Sequence, residues 1–290
     1  MTLTSARVTL HMELLSNITS TWGSTGAGCS TIVPADWTRA SVGFPDQSSK
    51  IYTFALAFES HKLLVCSIPG AVSTPVRRVL HDAEAILTGS TNQSVAIPDH
   101  MELADAARML RLGKPLELMS LSEVEHIACS NEWTRLAFVR NPYNRLLSKF
   151  EDKIGKHKDY RPPAVAADGA SFSRFIGRLA ASRGSVNSRI EAEYVDEHFR
   201  TMSSFCGLRH IPYQVIQLEG ASWLVALRAI TERLGVAGDQ RVVNTLSKIR
   251  PFEADHARKQ VHDAYHPRDA ELVRRYYAED FRRFSYSSSM

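Results

Sequence analysis

The sequence contains no run of the roughly 18 apolar residues that a membrane-spanning helix requires. Its opening stretch, MTLTSARVTLHMELLSNITSTW, holds no apolar segment of signal-peptide length either. These absences make a cytoplasmic location the first expectation, with the Golgi lumen as the alternative if a membrane anchor is missing from this chain; peripheral membrane association stays open. The sequons at Asn17 and Asn92 are too loose a pattern to change that expectation. Cysteine is scarce: Cys29, Cys66, Cys129 and Cys206 are widely scattered and form no CxxC pair. Neither a zinc site nor a disulfide framework is signalled, so the four read as mostly buried thiols, and no metal is expected. An excess of one charge is also lacking, since 35 Lys and Arg stand against 31 Asp and Glu for a net +4. That balance calls for no nucleic-acid partner and suits a small anionic ligand. The pattern GxxxxGK[ST] is absent as well, which disfavours an ATPase or nucleotide kinase of the Walker type.

What is present is a 290-residue chain with 44% hydrophobic content, ample for a substantial core. Residues 1–50, rich in Ser, Thr and Gly, read as an irregular lead-in, and residues 51–286 as one domain with neither repeat nor linker. The runs IYTFALAF and KLLVCSI predict buried strands of a mainly parallel sheet. After the second run, Val76, Val79, Leu80, Ala83 and Leu87 recur at helical spacing until Gly89 ends the segment. TRLAFV predicts another strand, followed by a helix capped by Asn141 with Pro142 in its first position and Leu146, Leu147, Phe150 and Ile154 as its buried stripe. YQVIQLEG and SWLVALRAITERLG make a third such unit, with Leu224, Leu227, Ile230 and Leu234 inward. HMELADAARMLRL, SLSEVEHIA and SFSRFIGRLAAS predict covering helices. Repeated strand-then-helix units define the expected fold class as a three-layer α/β domain.

Ligands of such sheets collect beyond the carboxyl ends of the strands, and two loops fall there. In SIPGAVSTP, Ser73, Thr74 and the backbone N–H groups of a helix start favour a phosphate or sulfate ester. In FVRNPYNRLLSKFEDKI, Arg140 leaves the strand, Ser148 follows about two helical turns later, and Arg145 lies between, so that a second anionic group can be gripped by charge-assisted hydrogen bonds. A nucleoside carrying two separated anionic groups satisfies both loops.

The pair CSIPGAVSTPVRR and FVRNPYNRLLSKFEDKI resembles the two cofactor motifs of the sulfotransferases, and most closely those of the carbohydrate sulfotransferases of the chondroitin 4-O and HNK-1 type. Two more stretches are similar to that family in the same order: YVDEHFRTMSSFCGLRHIPYQVIQLEG, and RRYYAEDFRRFSY near the carboxyl end. The resemblance implies a P-loop-like sulfotransferase fold and 3′-phosphoadenosine 5′-phosphosulfate (PAPS) as sulfuryl donor. It places Pro69, Gly70, Ser73, Thr74 and Arg77 around the 5′-phosphosulfate, and Arg140 with Ser148 around the 3′-phosphate. Gly70 stands where the family carries a lysine that bridges donor and transferred group. Arg77, near the start of the following helix, is the expected substitute cation.

Sulfuryl transfer needs an in-line approach, a base near the attacking hydroxyl and positive charge at the leaving phosphate. His198, in the family-like YVDEHF, is the expected catalytic base, with His61, His81 and Glu219 as contenders. Tyr143, Tyr276, Tyr277, Phe281 and Phe284 offer stacking surfaces for adenine or sugar, but their helical spacing reads as core. The expected function is transfer of sulfate to a carbohydrate or glycoconjugate hydroxyl. The rival is a catalytically impaired relative that binds nucleotide or glycan without efficient turnover.

Overall fold

The computed structural model describes residues 54–71, 73–89, 113–116, 119–156, 171–183, 198–219, 222–249 and 254–290. The lead-in expected over residues 1–50 and the helix read at residues 100–112 lie outside these. Five short strands form one sheet: β1 (Ala55–Phe58), β2 (Leu63–Ser67), β3 (Lys114–Pro115), β4 (Thr134–Val139) and β5 (Gln214–Gln217), in the order β3-β1-β2-β4-β5. β2, β4 and β5 run parallel, whereas β1 is antiparallel to both of its neighbours.

The antiparallel β1–β2 pair corrects the expectation that both runs belong to the parallel part of the sheet. Only Glu59–His61, in a single 3-10 turn, and Lys62, in the left-handed region at φ 50, separate the two strands. A link that short turns the chain back on itself, because a parallel return needs a crossover of a dozen or more residues. β1 and β2 are buried at every position, which requires cover on both faces.

The strand-to-helix units appear where the spacing predicts them. β2 leads into α1 (Ser73–Leu87). Ahead of β4 comes α2 (Leu121–Cys129), started by a reciprocal capping box between Ser120 and Glu123. β4 leads into α3 (Pro142–Lys149), which continues as a π-helical stretch over Phe150–Lys156. After α4 (Phe172–Arg183), β5 leads into α5 (Ser222–Arg233), and the chain closes with α6 (Gln240–Lys248), α7 (Ala254–Ala264), α8 (Pro267–Tyr276) and α9 (Ala278–Arg283). The apolar stripes of α1, α2, α5 and α6 pack with the sheet through Val76, Leu80, Ile127, Leu227 and Val242. Leu87, at the last turn of α1, is exposed instead. A second cluster joins α3, α4, α7, α8 and α9 through Leu146, Phe175, Val261, Val273 and Phe281. The five candidate stacking aromatics, Tyr143, Tyr276, Tyr277, Phe281 and Phe284, are all buried and belong to the core.

The reading of the cysteines as thiols is overturned. Cys66, the penultimate residue of β2, is disulfide-bonded to Cys206, 140 residues later. Cys129 is disulfide-bonded too, and no described cysteine is free. Spacing could not announce the bond, because tertiary approach creates it: Cys206 and Gly207 both take positive φ, 54 and 65, in a tight turn that brings the sulfur to the end of β2. Closing so long a loop restricts the unfolded chain, so we expect Cys206→Ser to lower unfolding free energy by roughly 2–5 kcal/mol. Urea titration of oxidised wild type and the variant checks this, and coincident midpoints would contradict it.

Candidate functional site

The parallel strands end in register: Ser67 of β2 pairs with Phe138, and Val139 with Gln217 of β5. The residues that follow, Ile68 to Ala71, Arg140 to Pro142 and Leu218 to Glu219, therefore share one edge of the sheet. At the first of these exits Ala71 N donates to Ile68 O at 3.0 Å, with Pro69 and Gly70 between them and Gly70 at φ +80. That is the geometry of a type II turn, whose third residue needs positive φ and whose second favours proline. Glycine at position 70 is thus dictated by the turn, and the Pro-Gly pair was its signal in the sequence. A Cβ added there would stand 3.0 Å from Lys149 Cγ, 3.1 Å from Lys149 Cε and 3.3 Å from Arg145 Cγ.

α1 begins at Ser73, two residues before Pro75, so the proline occupies the third helical position, where its missing N–H has no intrahelical partner to lose. Thr74 lies in the first turn and is half-buried. Arg77, expected within the first turn, starts the second, about 6 Å along the axis from Ser73.

At the second exit the expected cap is present: Asn141 accepts a side-chain hydrogen bond from Tyr143 N at 3.0 Å, and Pro142 opens α3. Arg140 is half-buried, with its Nε withdrawn from solvent, and its Nη1 reaches back to Gly70 O at 3.5 Å. Burial pulls its guanidinium down to about 10, against the pull of Glu219, so it remains a cation at neutral pH. Glu219 itself is engaged on both oxygens, accepting from Asn141 N at 2.7 Å and from the Tyr286 hydroxyl at 2.8 Å. This carboxylate, a contender for the base, holds the β4 exit and the carboxyl end of the chain together instead.

Arg145, read as a grip for the ligand, is turned to another use. Its side chain is 1% exposed; Nε donates to Pro69 O at 2.8 Å and Nη1 to Arg200 O at 2.6 Å. Asp280 lies close enough for the guanidinium to favour its charged form, although burial raises that carboxyl overall. Asp280 accepts from the backbone N–H groups of Met202 and Ser203 at 2.7 and 2.9 Å. The Tyr277 hydroxyl donates to Phe199 O at 2.5 Å. The stretch 198–206 is therefore fastened to the first loop by Arg145 and to α9 by Asp280.

His198 begins that fastened stretch, half-buried and two residues from the Arg200 carbonyl that Arg145 holds. Its rivals are placed elsewhere. His61 precedes β2, at the amino end of the strand and away from the Pro69-Gly70 turn. His81 lies eight residues into α1 and pairs with Asp82 at 3.7 Å. Ser148 is half-buried and follows Arg145 by three residues, on the same flank of α3. Lys149, four residues beyond Arg145, was not singled out from the sequence. Its stem lies on Gly70, and its Nζ is 3.3 Å from Asp152 Oδ2. The only signal for it was its helical spacing from Arg145.

A half-buried guanidinium, a half-buried lysine and a helix start at one sheet edge fit an anionic, phosphate-bearing ligand. Sequence comparison gives the class of the protein: the chain belongs to the sulfotransferase family, whose model (Sulfotransfer_2, "Sulfotransferase family") matches residues 55–287. Among its relatives are proteins of carbohydrate sulfation. Carbohydrate sulfotransferase 10 of Danio rerio is 26% identical over 254 residues, covering 79% of this chain and 65% of that protein. Carbohydrate sulfotransferase 11 of Rattus norvegicus is 25% identical over 178 residues, or 54% of this chain and 46% of the relative. Carbohydrate sulfotransferase 9 of Homo sapiens is 27% identical over 167 residues, 51% and 33% respectively. The chain thus spans less than two thirds of the length of these relatives. No solved structure gives a significant match.

The turn at Pro69-Gly70 yields a stability prediction. Gly70→Ala forces an L-residue into the left-handed region and its Cβ against Lys149, which should lower stability by about 1–2 kcal/mol. Thermal unfolding of the two proteins measures the difference, and an unchanged midpoint would remove the steric argument. Gly70→Lys meets the same obstacles, so restoring a lysine at this position should not raise activity.

Proposed function

We propose that this protein transfers the sulfuryl group of PAPS to a hydroxyl of a carbohydrate or glycoconjugate acceptor, through one domain spanning residues 51–286. Family membership supports sulfuryl transfer to carbohydrate. The observation that carries the donor assignment is the convergence of Arg140 and the Pro69-Gly70 turn at the carboxyl edge of the parallel strands. In this P-loop-like reading Pro69, Gly70, Ser73, Thr74 and Arg77 surround the 5′-phosphosulfate, with helix-start N–H groups as donors. Arg140 and Ser148 take the 3′-phosphate; partial burial of the guanidinium reduces competing water and strengthens its hold on an anion. Glu219 supports Arg140 from behind through the Asn141 backbone.

His198 receives the proton of the acceptor hydroxyl as that oxygen bonds to sulfur. The sulfur–oxygen bond to the 5′-phosphate breaks, and its electron pair stays on the phosphate oxygen. A cation near that oxygen accelerates the step, and Arg77 is within a long side chain's reach of the helix start. The second reading, a binder with impaired turnover, is favoured by Gly70, because the turn excludes a lysine side chain there.

The disulfide favours an oxidising compartment over the reducing cytosol, in line with the Golgi-lumen alternative. No described helix is long and apolar enough to cross a membrane.

The test is a comparison of nucleotides by calorimetry. Adenosine 3′,5′-bisphosphate should bind far better than adenosine 5′-phosphate, and Arg140→Ala should erase most of that preference, a loss of about 1.5–3 kcal/mol. Equal affinities for the two nucleotides would refute the donor assignment. With labelled PAPS and a panel of glycans, His198→Ala should abolish transfer while bisphosphate affinity stays nearly intact; near-normal turnover would make His198 structural.

A further inference from the structure

We propose that Lys149 supplies the loop cation that residue 70 cannot, reaching the 5′-phosphate from α3 across the bare face of Gly70. This rests on the sulfuryl-transfer reading above.

A side chain at position 70 would enter the space that the stem of Lys149 already fills, with Cγ and Cε 3.0 and 3.1 Å from the point where its Cβ would stand. The close approach of lysine and turn therefore depends on residue 70 being glycine. Arg145 fixes the register of this contact, since its Nε bond to Pro69 O docks α3 on the turn one helical turn before Lys149. Between them the two side chains occupy what the turn leaves open: Arg145 holds the carbonyl of Pro69, and Lys149 lies along Gly70.

The ammonium is held loosely. Its partner, Asp152, is 3.3 Å away and half-exposed, three residues on, where α3 has passed into the π-helical stretch. Burial, with Lys153 and Arg145 as like charges, draws the Lys149 ammonium below the usual lysine range, against the opposing pull of Asp152. A dianionic phosphate at the turn offers a stronger counter-charge than one carboxylate, so the ammonium exchanges Asp152 for the ligand by rotation of its last side-chain bonds. Its charge then faces the oxygen on which the electron pair settles when the sulfur–oxygen bond breaks.

The test uses the intact chain and adenosine 3′,5′-bisphosphate. Lys149→Met keeps most of the apolar stem and removes the charge; bisphosphate affinity should fall roughly 10- to 100-fold. Asp152→Asn releases the ammonium and should tighten binding by about two- to fivefold, a gain that misfolding cannot produce. In wild type, saturating bisphosphate should protect Lys149 from acetylation, read by peptide mass spectrometry. Lys149→Met that binds as wild type, or Lys149 acetylated equally with and without bisphosphate, would overturn the proposal while leaving the donor assignment standing. Wild type that does not bind bisphosphate at all would remove the donor assignment and this proposal together.

Discussion

The structure depends on a buried guanidinium. Arg145 sits on α3, yet its hydrogen bonds go to Pro69 O in the loop after β2 and to Arg200 O in the stretch that carries His198. A charge so far from water is tolerable only if its donors are satisfied and a counter-charge is near. Two backbone carbonyls supply the first and Asp280 the second. Because Asp280 also takes the N–H groups of Met202 and Ser203, one electrostatic arrangement positions three separate parts of the chain. The two further family-like segments are the pieces of this arrangement: Phe199 and Arg200 offer carbonyls, Asp280 a carboxylate, and Tyr286 a hydroxyl to Glu219.

Much of the fold was legible because local chemistry and tertiary position agree. Asn141 and Pro142 start α3 as their side chains dictate, and the apolar runs at Leu63–Ser67 and Thr134–Val139 are strands buried as their composition requires. The direction of β1 was not legible, since an apolar run fixes burial and not polarity; the four-residue return through Lys62 decides it. The disulfide was hidden because its two cysteines are adjacent only after folding.

For the candidate site, sequence spacing marked the loops after β2 and β4 but could not tell that Arg145 serves to hold the fold together. Arg140 and Arg145 differ by five positions and by what their neighbours offer. Arg140 faces Gly70 O at the long distance of 3.5 Å, whereas Arg145 meets carbonyls at 2.8 and 2.6 Å. Glycine at position 70 reads in the sequence as a lost functional group. In the structure it is the third residue of a type II turn, a conformation that explains the residue without reference to catalysis.

The disulfide between Cys66 and Cys206 has a topological consequence. The 140-residue interval that it closes contains the Pro69-Gly70 turn, all of α3 and His198, whereas Glu219 and the α9 clamp lie outside it. Nearly the whole candidate site is thus part of one covalent ring. A protease that cuts the backbone once between the two cysteines opens the ring, yet the two pieces stay covalently joined until disulfide bonds are reduced.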